Sequence, residues 1–129
     1  MKKELQDKIF KDFPELFELR RPRQEGEMLM PAICYGIECG DGWYDLIYTL
    51  CGQISNYLKW SDNKCKIRVI QVKEKFGGLR FYTNGVPGEV RGMISLAESM
   101  SYKICDVCGN KGETSSTGGW YKTVCEEHR

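Results

Sequence analysis

The chain has 129 residues, 41% of them hydrophobic and 12% aromatic, enough for one domain with a real core and at most a small appendage. Its 19 basic residues are matched by 18 acidic ones, and so balanced a charge disfavours general DNA or RNA binding, which rests on a basic excess, while leaving room for a local patch. No apolar run approaches the roughly 20 residues that span a bilayer, and Met1-Lys2-Lys3-Glu4 opens an amphipathic stretch rather than an apolar leader, so neither membrane insertion nor secretion is expected.

Leu5, Ile9, Phe13 and Phe17 recur at steps of four and predict a first helix, kinked or split at Pro14, with a second short helix starting there. Residues 20–27 are polar and read as a loop, and Met28 to Tyr35 as an irregular, extended apolar stretch. A turn at Cys39-Gly40-Asp41-Gly42-Trp43 leads into a strong amphipathic helix. Trp43, Leu46, Ile47, Leu50, Cys51, Ile54, Tyr57 and Leu58 share one face, Asp41 is positioned as its N-cap, and the end falls near Trp60, before Ser61-Asp62-Asn63. Residues 66–73 are β-branched and predict a strand, Gly77-Gly78 a tight turn, and Leu79 to Thr83 the returning strand of a hairpin. Val90, Met93, Ile94, Ala97 and Met100 mark a last helix, and Trp120 to Val124 a short strand. Strands grouped between helices give an α+β class.

The strongest chemical signal is Cys105-x2-Cys108-x16-Cys125-x2-His128. Two tight pairs of soft or borderline ligands, separated by a length that can fold back, are how a chain builds a closed tetrahedral Zn2+ site, and a closed site is structural rather than catalytic. The pattern takes the only histidine in the chain. Seven cysteines without a secretion signal point to a reduced, cytoplasmic chain, with Cys34, Cys39, Cys51 and Cys65 as small hydrophobes. The organisation is thus an α+β domain over residues 1–103 and a zinc knuckle over 104–129.

Two further segments suggest binding. Around Asp41 and Asp45, glycines at a helix start expose backbone donors and Trp43 offers a stacking surface, although capping alone accounts for Asp41. Cys39, near the same helix start, has no spare histidine to serve as a base, so a nucleophilic thiol there is not expected even if its pKa is lowered. In the hairpin, Gly77 and Gly78 permit close approach to the backbone, Lys75 and Arg80 supply charge, and Tyr82 an aromatic face. This fits an anion cradle, and equally a plain turn with solvated charges. The segment is not a phosphate loop, since a strand and not a helix follows it. Arg20-Arg21-Pro22-Arg23 is a small basic cluster that reads as a solvated loop.

The run Glu38 to Ile47, the run Gln71 to Tyr82 and the two metal-ligand pairs together resemble a set of small proteins of tailed phages and prophages, over roughly residues 28 to 128. The resemblance implies a phage or prophage setting and a host-takeover or anti-defence role; it carries over no catalytic residue. The expectation is a non-enzymatic zinc protein binding an anionic, nucleotide-like ligand through Asp41, Trp43, Asp45, Lys75, Gly77, Gly78, Arg80 and Tyr82. The alternatives are a protein-binding module that inhibits a host enzyme, and a hydrolase with a divalent cation at Asp41 and Asp45.

Overall fold

The computed structural model describes residues 1–61 and 65–129. Helix α1 spans Lys3–Asp12 and buries Ile9 and Phe10. It stops where it does because the residue before a proline is pushed out of helical geometry: Phe13 sits at φ −128°, ψ 56°. The second helix expected from Pro14 does not form. Three i→i+3 bonds instead carry the chain round a set of turns, with the N–H groups of Leu16, Phe17 and Arg20 donating to the carbonyls of Phe13, Pro14 and Phe17. Leu16 and Phe17 are nevertheless buried. Nor is the stretch from Met28 to Tyr35 simply extended, since it ends in a 3-10 turn at Ala32–Tyr35 that buries Ile33.

Strand β1, Ile37–Glu38, runs parallel to β2, Val69–Lys75, which pairs antiparallel with β3, Gly78–Thr83. The pairing between β2 and β3 shifts register between Val69 and Gln71. The bulge inserts one residue, Ile70, so Val69 and Val72 both face the core although they stand three apart. Beyond the bulge, Val72 and Phe81 are opposite and buried, and Leu79, opposite Glu74, is buried as well. By strict alternation Gln71, Lys73, Lys75, Arg80 and Tyr82 share the other face.

Helix α2, Tyr44–Trp60, buries Ile47, Leu50, Cys51 and Ile54 in the same core as the inward residues of this sheet, with Trp43 wholly enclosed just ahead of it. Leu46, expected in the same stripe, is only half-buried at its margin. The helix ends at Trp60 as expected; of the stop that follows, Asp62 and Asn63 lie outside the described residues. Helix α3, Gly88–Ser101, packs on both β3 and α2. It also closes the free edge of β3: the Leu79 N–H donates to Ser101 Oγ and the Phe81 N–H to the Glu98 carboxylate, both at 2.9 Å. An exposed edge strand invites wrong pairing, and these two bonds occupy its donors.

The remaining chain forms a hairpin of β4, Glu113–Thr117, and β5, Trp120–Val124, followed by a 3-10 turn at Glu126–His128. Three helices packed with a mixed three-stranded sheet, α2 falling between β1 and β2 in the chain, and a separate two-stranded hairpin make the fold α+β. Among the described residues no helix is long and apolar enough to cross a membrane.

Candidate metal centre and adjoining surfaces

Cys105 and Cys108 lie in the turn after α3, and Cys125 and His128 at the end of β5. The β4–β5 hairpin folds the second pair back onto the first. Their ligand atoms all lie within 4.8 Å of one another, a spacing that one metal ion can bridge. Cys108 Sγ is 3.7 Å from Cys125 Sγ, and His128 Nδ1 is 3.7 Å from Cys105 Sγ and 3.1 Å from Cys125 Sγ. Among the described residues this is the one grouping of three or more ligand-type side chains so placed. Local backbone prepares it. Burial alone would push the Cys105 thiol up, but the N–H groups of Cys108, Cys125 and Val107 outweigh it and hold the pKa at about 6, favouring the thiolate that a metal takes. Gly109, at φ 83°, closes the first turn, with its N–H donating to the Cys105 carbonyl at 2.9 Å.

The Cys39–Trp43 segment is built against this knuckle. Asp106, between the first two cysteines, is the hub. Its carboxylate accepts from the Gly40 N–H at 2.7 Å, its carbonyl accepts from the Gly42 N–H at 2.8 Å, and its own N–H donates to the Thr123 carbonyl at 2.9 Å. Burial raises the Asp106 pKa against the opposing pull of the Gly40 N–H. The indole N–H of Trp43 donates to the Ile104 carbonyl at 2.8 Å. Both glycines are required by proximity. A Cβ on Gly40 would overlap the Asp106 carbonyl, and one on Gly42 would overlap the Cys105 carbonyl and stand 2.6 Å from Gly109 N.

The expected binding residues fall in three places. Trp43 is 0% exposed, so its ring is a core element and not a stacking surface. Asp41 does not cap α2, whose start has no side-chain cap. A 3-10 turn at Asp41–Trp43 intervenes, and the Asp41 carboxylate instead accepts the Lys2 N–H at 2.7 Å and pairs with Lys2 Nζ at 3.6 Å. The Cys39 thiol is not acidified: burial pushes it up to about 12. Asp41 and Asp45 line a groove of about 760 Å³ between α2 and α3, whose walls are mainly apolar: Leu46, Met93, Leu96, Met100 and Ile104.

Lys75, Gly77, Gly78, Arg80 and Tyr82 all belong to the β2–β3 hairpin, on the far side of the sheet from Trp43 in the core. Trp43 lines neither the groove between α2 and α3 nor the one that Arg80 and Tyr82 edge. The hairpin glycines are architectural as well. Phe76 (φ 54°) and Gly77 (φ 84°) make a two-residue turn with positive φ at both positions, as a type I′ hairpin requires. Gly77 and Gly78 are buried, the Gly77 N–H donates to the Glu74 carboxylate at 2.7 Å, and a Cβ on Gly78 would run into the Tyr102 ring. The Thr123 hydroxyl donates to the Gly77 carbonyl at 2.6 Å, locking this turn to the metal-bearing hairpin. The glycines therefore offer no open cradle. The charged and aromatic side chains remain on the surface: Lys75 is exposed, and Arg80 donates to Tyr102 Oη at 3.1 Å and to the Leu79 carbonyl at 3.0 Å. Arg80 and Tyr82 also edge a shallower groove of about 430 Å³ with Arg91.

Three surface residues escaped the sequence reading. Lys73 stands directly opposite Arg80, Phe76 holds the hairpin tip, and Tyr121 meets the Phe76 ring edge-on at 6.2 Å between centroids. Alternation along the strands reveals Lys73, and the Gly118-Gly119 pair, also at positive φ, is the signal for the β4–β5 turn that sets Tyr121. Comparison with protein families, with curated proteins and with solved structures finds no match to this chain.

Proposed function

We propose that the chain is a non-catalytic, zinc-stabilised binding protein that holds an anionic, nucleotide-like ligand on the outer face of its β2–β3 hairpin. Zinc suits the donor set. Three thiolates and an imidazole at Zn–S ~2.3 Å and Zn–N ~2.0 Å would stand about 3.5–3.8 Å apart in a tetrahedron, and two of the separations above are 3.7 Å. Such a shell leaves no open position, so the metal holds the fold. Among the described residues no cysteine is paired in a disulfide, and a reducing, cytoplasmic setting belongs to this proposal. The phage or prophage setting, with its anti-defence or host-takeover role, stays part of this proposal through the resemblance of the hairpin and ligand motifs.

One observation carries the ligand reading. Lys73 and Arg80 are direct cross-strand partners on an exposed face that also bears Lys75 and Tyr82. Like charges directly opposite destabilise a sheet, and an anion between them would turn that cost into attraction. The test is calorimetric titration of the zinc-loaded protein with a panel of nucleoside mono- and triphosphates. Binding that weakens with salt, and is abolished in Arg80→Ala and Lys75→Ala with metal content and circular dichroism intact, is the expected result. No heat with any nucleotide, or full binding by Arg80→Ala, would refute it.

The groove between α2 and α3 favours a second reading, the protein-binding module. It is apolar, holds two methionines that adapt to varied shapes, and its only charged lining residues are Asp41 and Asp45. Its fitting occupant is an amphipathic helix with basic flanks. A synthetic Leu/Lys helical peptide should bind better than a Leu/Glu one, and Leu96→Glu should remove the difference. Equal binding of the two peptides would exclude this reading.

A further inference from the structure

The aromatic residues of the hairpin region show a pattern that a small anion does not explain. Phe76 is the one non-glycine residue at positive φ among the described residues. A bulky side chain in the left-handed region is strained, and glycine or asparagine would satisfy the turn more cheaply. Nor does core burial explain the ring, which is 63% exposed. Tyr121, its edge-on neighbour, is 48% exposed, and Tyr82 at the other end of the face is 40% exposed. The Gly118-Gly119 turn ahead of Trp120 is clear of the rest of the chain, since a Cβ on either glycine would meet nothing within 4 Å.

Cations lie between the rings. Lys73, Lys75 and Arg80 occupy the sheet face between Tyr82 and Phe76, and Lys75 Nζ rests 5.6 Å from the Phe76 ring centre. None of the three makes an ion pair among the described residues. The nearby carboxylates each hold another donor or cation, and the Glu98 charge also reaches Arg80. Glu38 beside Lys73 accepts from Gln71 Nε2 at 3.3 Å, Glu74 takes the Gly77 N–H, Glu98 takes the Phe81 N–H, and Glu113 pairs with Arg129.

From Tyr82 to Gly78 alone the platform runs about 13 Å at the usual strand rise, nearly four times the ~3.4 Å that one nucleotide of a stacked strand occupies. Beyond it come Phe76 and Tyr121. A lone nucleotide has one base to stack and cannot use rings set so far apart. A single strand can, because each base finds a ring while its phosphates pass the lysines and Arg80. We propose that this face binds single-stranded nucleic acid, with Tyr82, Phe76 and Tyr121 as stacking positions and Lys73, Lys75 and Arg80 on the phosphates. The inference rests on the anionic-ligand reading and names its ligand. It is compatible with the balanced charge of the whole chain because the basic residues concerned are local to one face.

The experiment is fluorescence anisotropy of metal-loaded protein with fluorescein-labelled oligothymidylates and oligouridylates of 3, 6 and 12 nucleotides, beside thymidine and uridine monophosphates as competitors and a 12-base-pair duplex. The expected result is affinity that rises at least tenfold from 3 to 12 nucleotides, exceeds that for the duplex, and falls with salt. For a single strand the log–log salt slope is about 0.7 per phosphate neutralised, so Lys73→Ala and Lys75→Ala should each flatten it by roughly that amount. Tyr121→Ala and Phe76→Asn should each weaken binding about 5- to 100-fold, the usual range for one stacked base. Phe76→Asn separates function from architecture, since relief of the strained turn should leave the urea midpoint unchanged or raised while binding drops. If mononucleotides bind but longer strands bind no better, or Phe76→Asn and Tyr121→Ala bind oligonucleotide like wild type, the single-strand inference fails and the small-ligand reading survives. If nothing binds at 50 mM salt, both fail.

Discussion

Gly42 tests how the metal knuckle is joined to the core. The Cβ of an alanine there would overlap the Cys105 carbonyl oxygen, with Gly109 N at 2.6 Å and the Asp106 carbonyl carbon at 2.8 Å. All three are backbone atoms of a turn held by metal ligands, so none can swing aside as a side chain does. Overpacking of this kind costs about 1–3 kcal/mol. Opening the contact also breaks the 2.8 Å bond from the Gly42 N–H to the Asp106 carbonyl, a net ~0.5–1.5 kcal/mol. Against this stands the ~0.4–1 kcal/mol gained by stiffening the unfolded chain. The balance is a loss of about 2 kcal/mol. Gly92 is the control: it lies inside α3, is exposed, and a Cβ there meets nothing within 4 Å. Alanine at Gly92 should stabilise by about 1 kcal/mol through helix propensity. The two substitutions are chemically identical and should differ by roughly 3 kcal/mol, with opposite signs. The assay is urea unfolding at a fixed excess of zinc, because bound metal adds to stability by mass action, followed through the fluorescence of buried Trp43. If Gly42→Ala and Gly92→Ala unfold within half a kcal/mol of each other, the knuckle yields freely and the close docking described here is wrong.

Purified protein should carry one zinc per chain by elemental analysis, Cys108→Ser should lose it, and strong chelation should expose the 104–129 region to protease first. A metal-free protein of unchanged stability would contradict this. Leu50, 4% exposed in the core, should cost about 2–5 kcal/mol as Leu50→Ala; a loss under half a kcal/mol in urea unfolding would put it on the surface. Stability should also depend on pH in the alkaline range. An unfolded Cys39 ionises near 9.0, whereas burial pushes the folded thiol up to about 12, so between these values the folded state binds the extra proton. That stabilisation is complete below pH 9 and is lost as pH rises towards 12. Urea midpoints from pH 8 to 11 should therefore fall more steeply for wild type than for Cys39→Ala, and parallel slopes would show the thiol to be solvated.

What could be read from the chain was whatever local periodicity encodes. The stripe from Trp43 to Ile54 gave α2, and β-branched residues around Val69 with Gly77 gave the hairpin. The ligand spacing gave the cluster, because two short turns and one return fix it without reference to anything distant. What could not be read was long-range. The Glu113–Thr117 strand has no apolar alternation, since it is set by pairing with β5 and by Thr123 rather than by a buried face of its own. Pro14 ends α1, but whether a second helix or a series of turns follows depends on where Leu16 and Phe17 find the core. The glycines misled for the same reason. At Gly40, Gly42 and Gly78 the missing side chain makes room for Asp106, Cys105 and Tyr102, and a sequence cannot distinguish room left for a ligand from room left for its own backbone.

That distinction also orders the molecule's surfaces. The Cys39–Trp43 turn and the Phe76–Gly77 turn come from different parts of the chain, and both are clamped to the Cys105–His128 knuckle, one through Asp106 in its first turn and the other through Thr123 in its hairpin. The ligand cluster therefore lies at the junction of the core and the tip of the β2–β3 hairpin. A chain of this size can bury enough apolar surface to fold its sheet and helices without such a centre. The β4–β5 hairpin cannot, since Thr123 and Val124 are its only buried residues, and two strands alone are marginal in water. The cluster compensates for that missing core. In doing so it sets Tyr121 against Phe76 and holds in place a turn whose own residue at position 76 is strained. A fold that needed only to be stable would have placed glycine or asparagine there and left the hairpin tip polar. Retaining an exposed ring on a strained turn, braced by a metal-anchored strand, is the arrangement expected of a surface kept for contact.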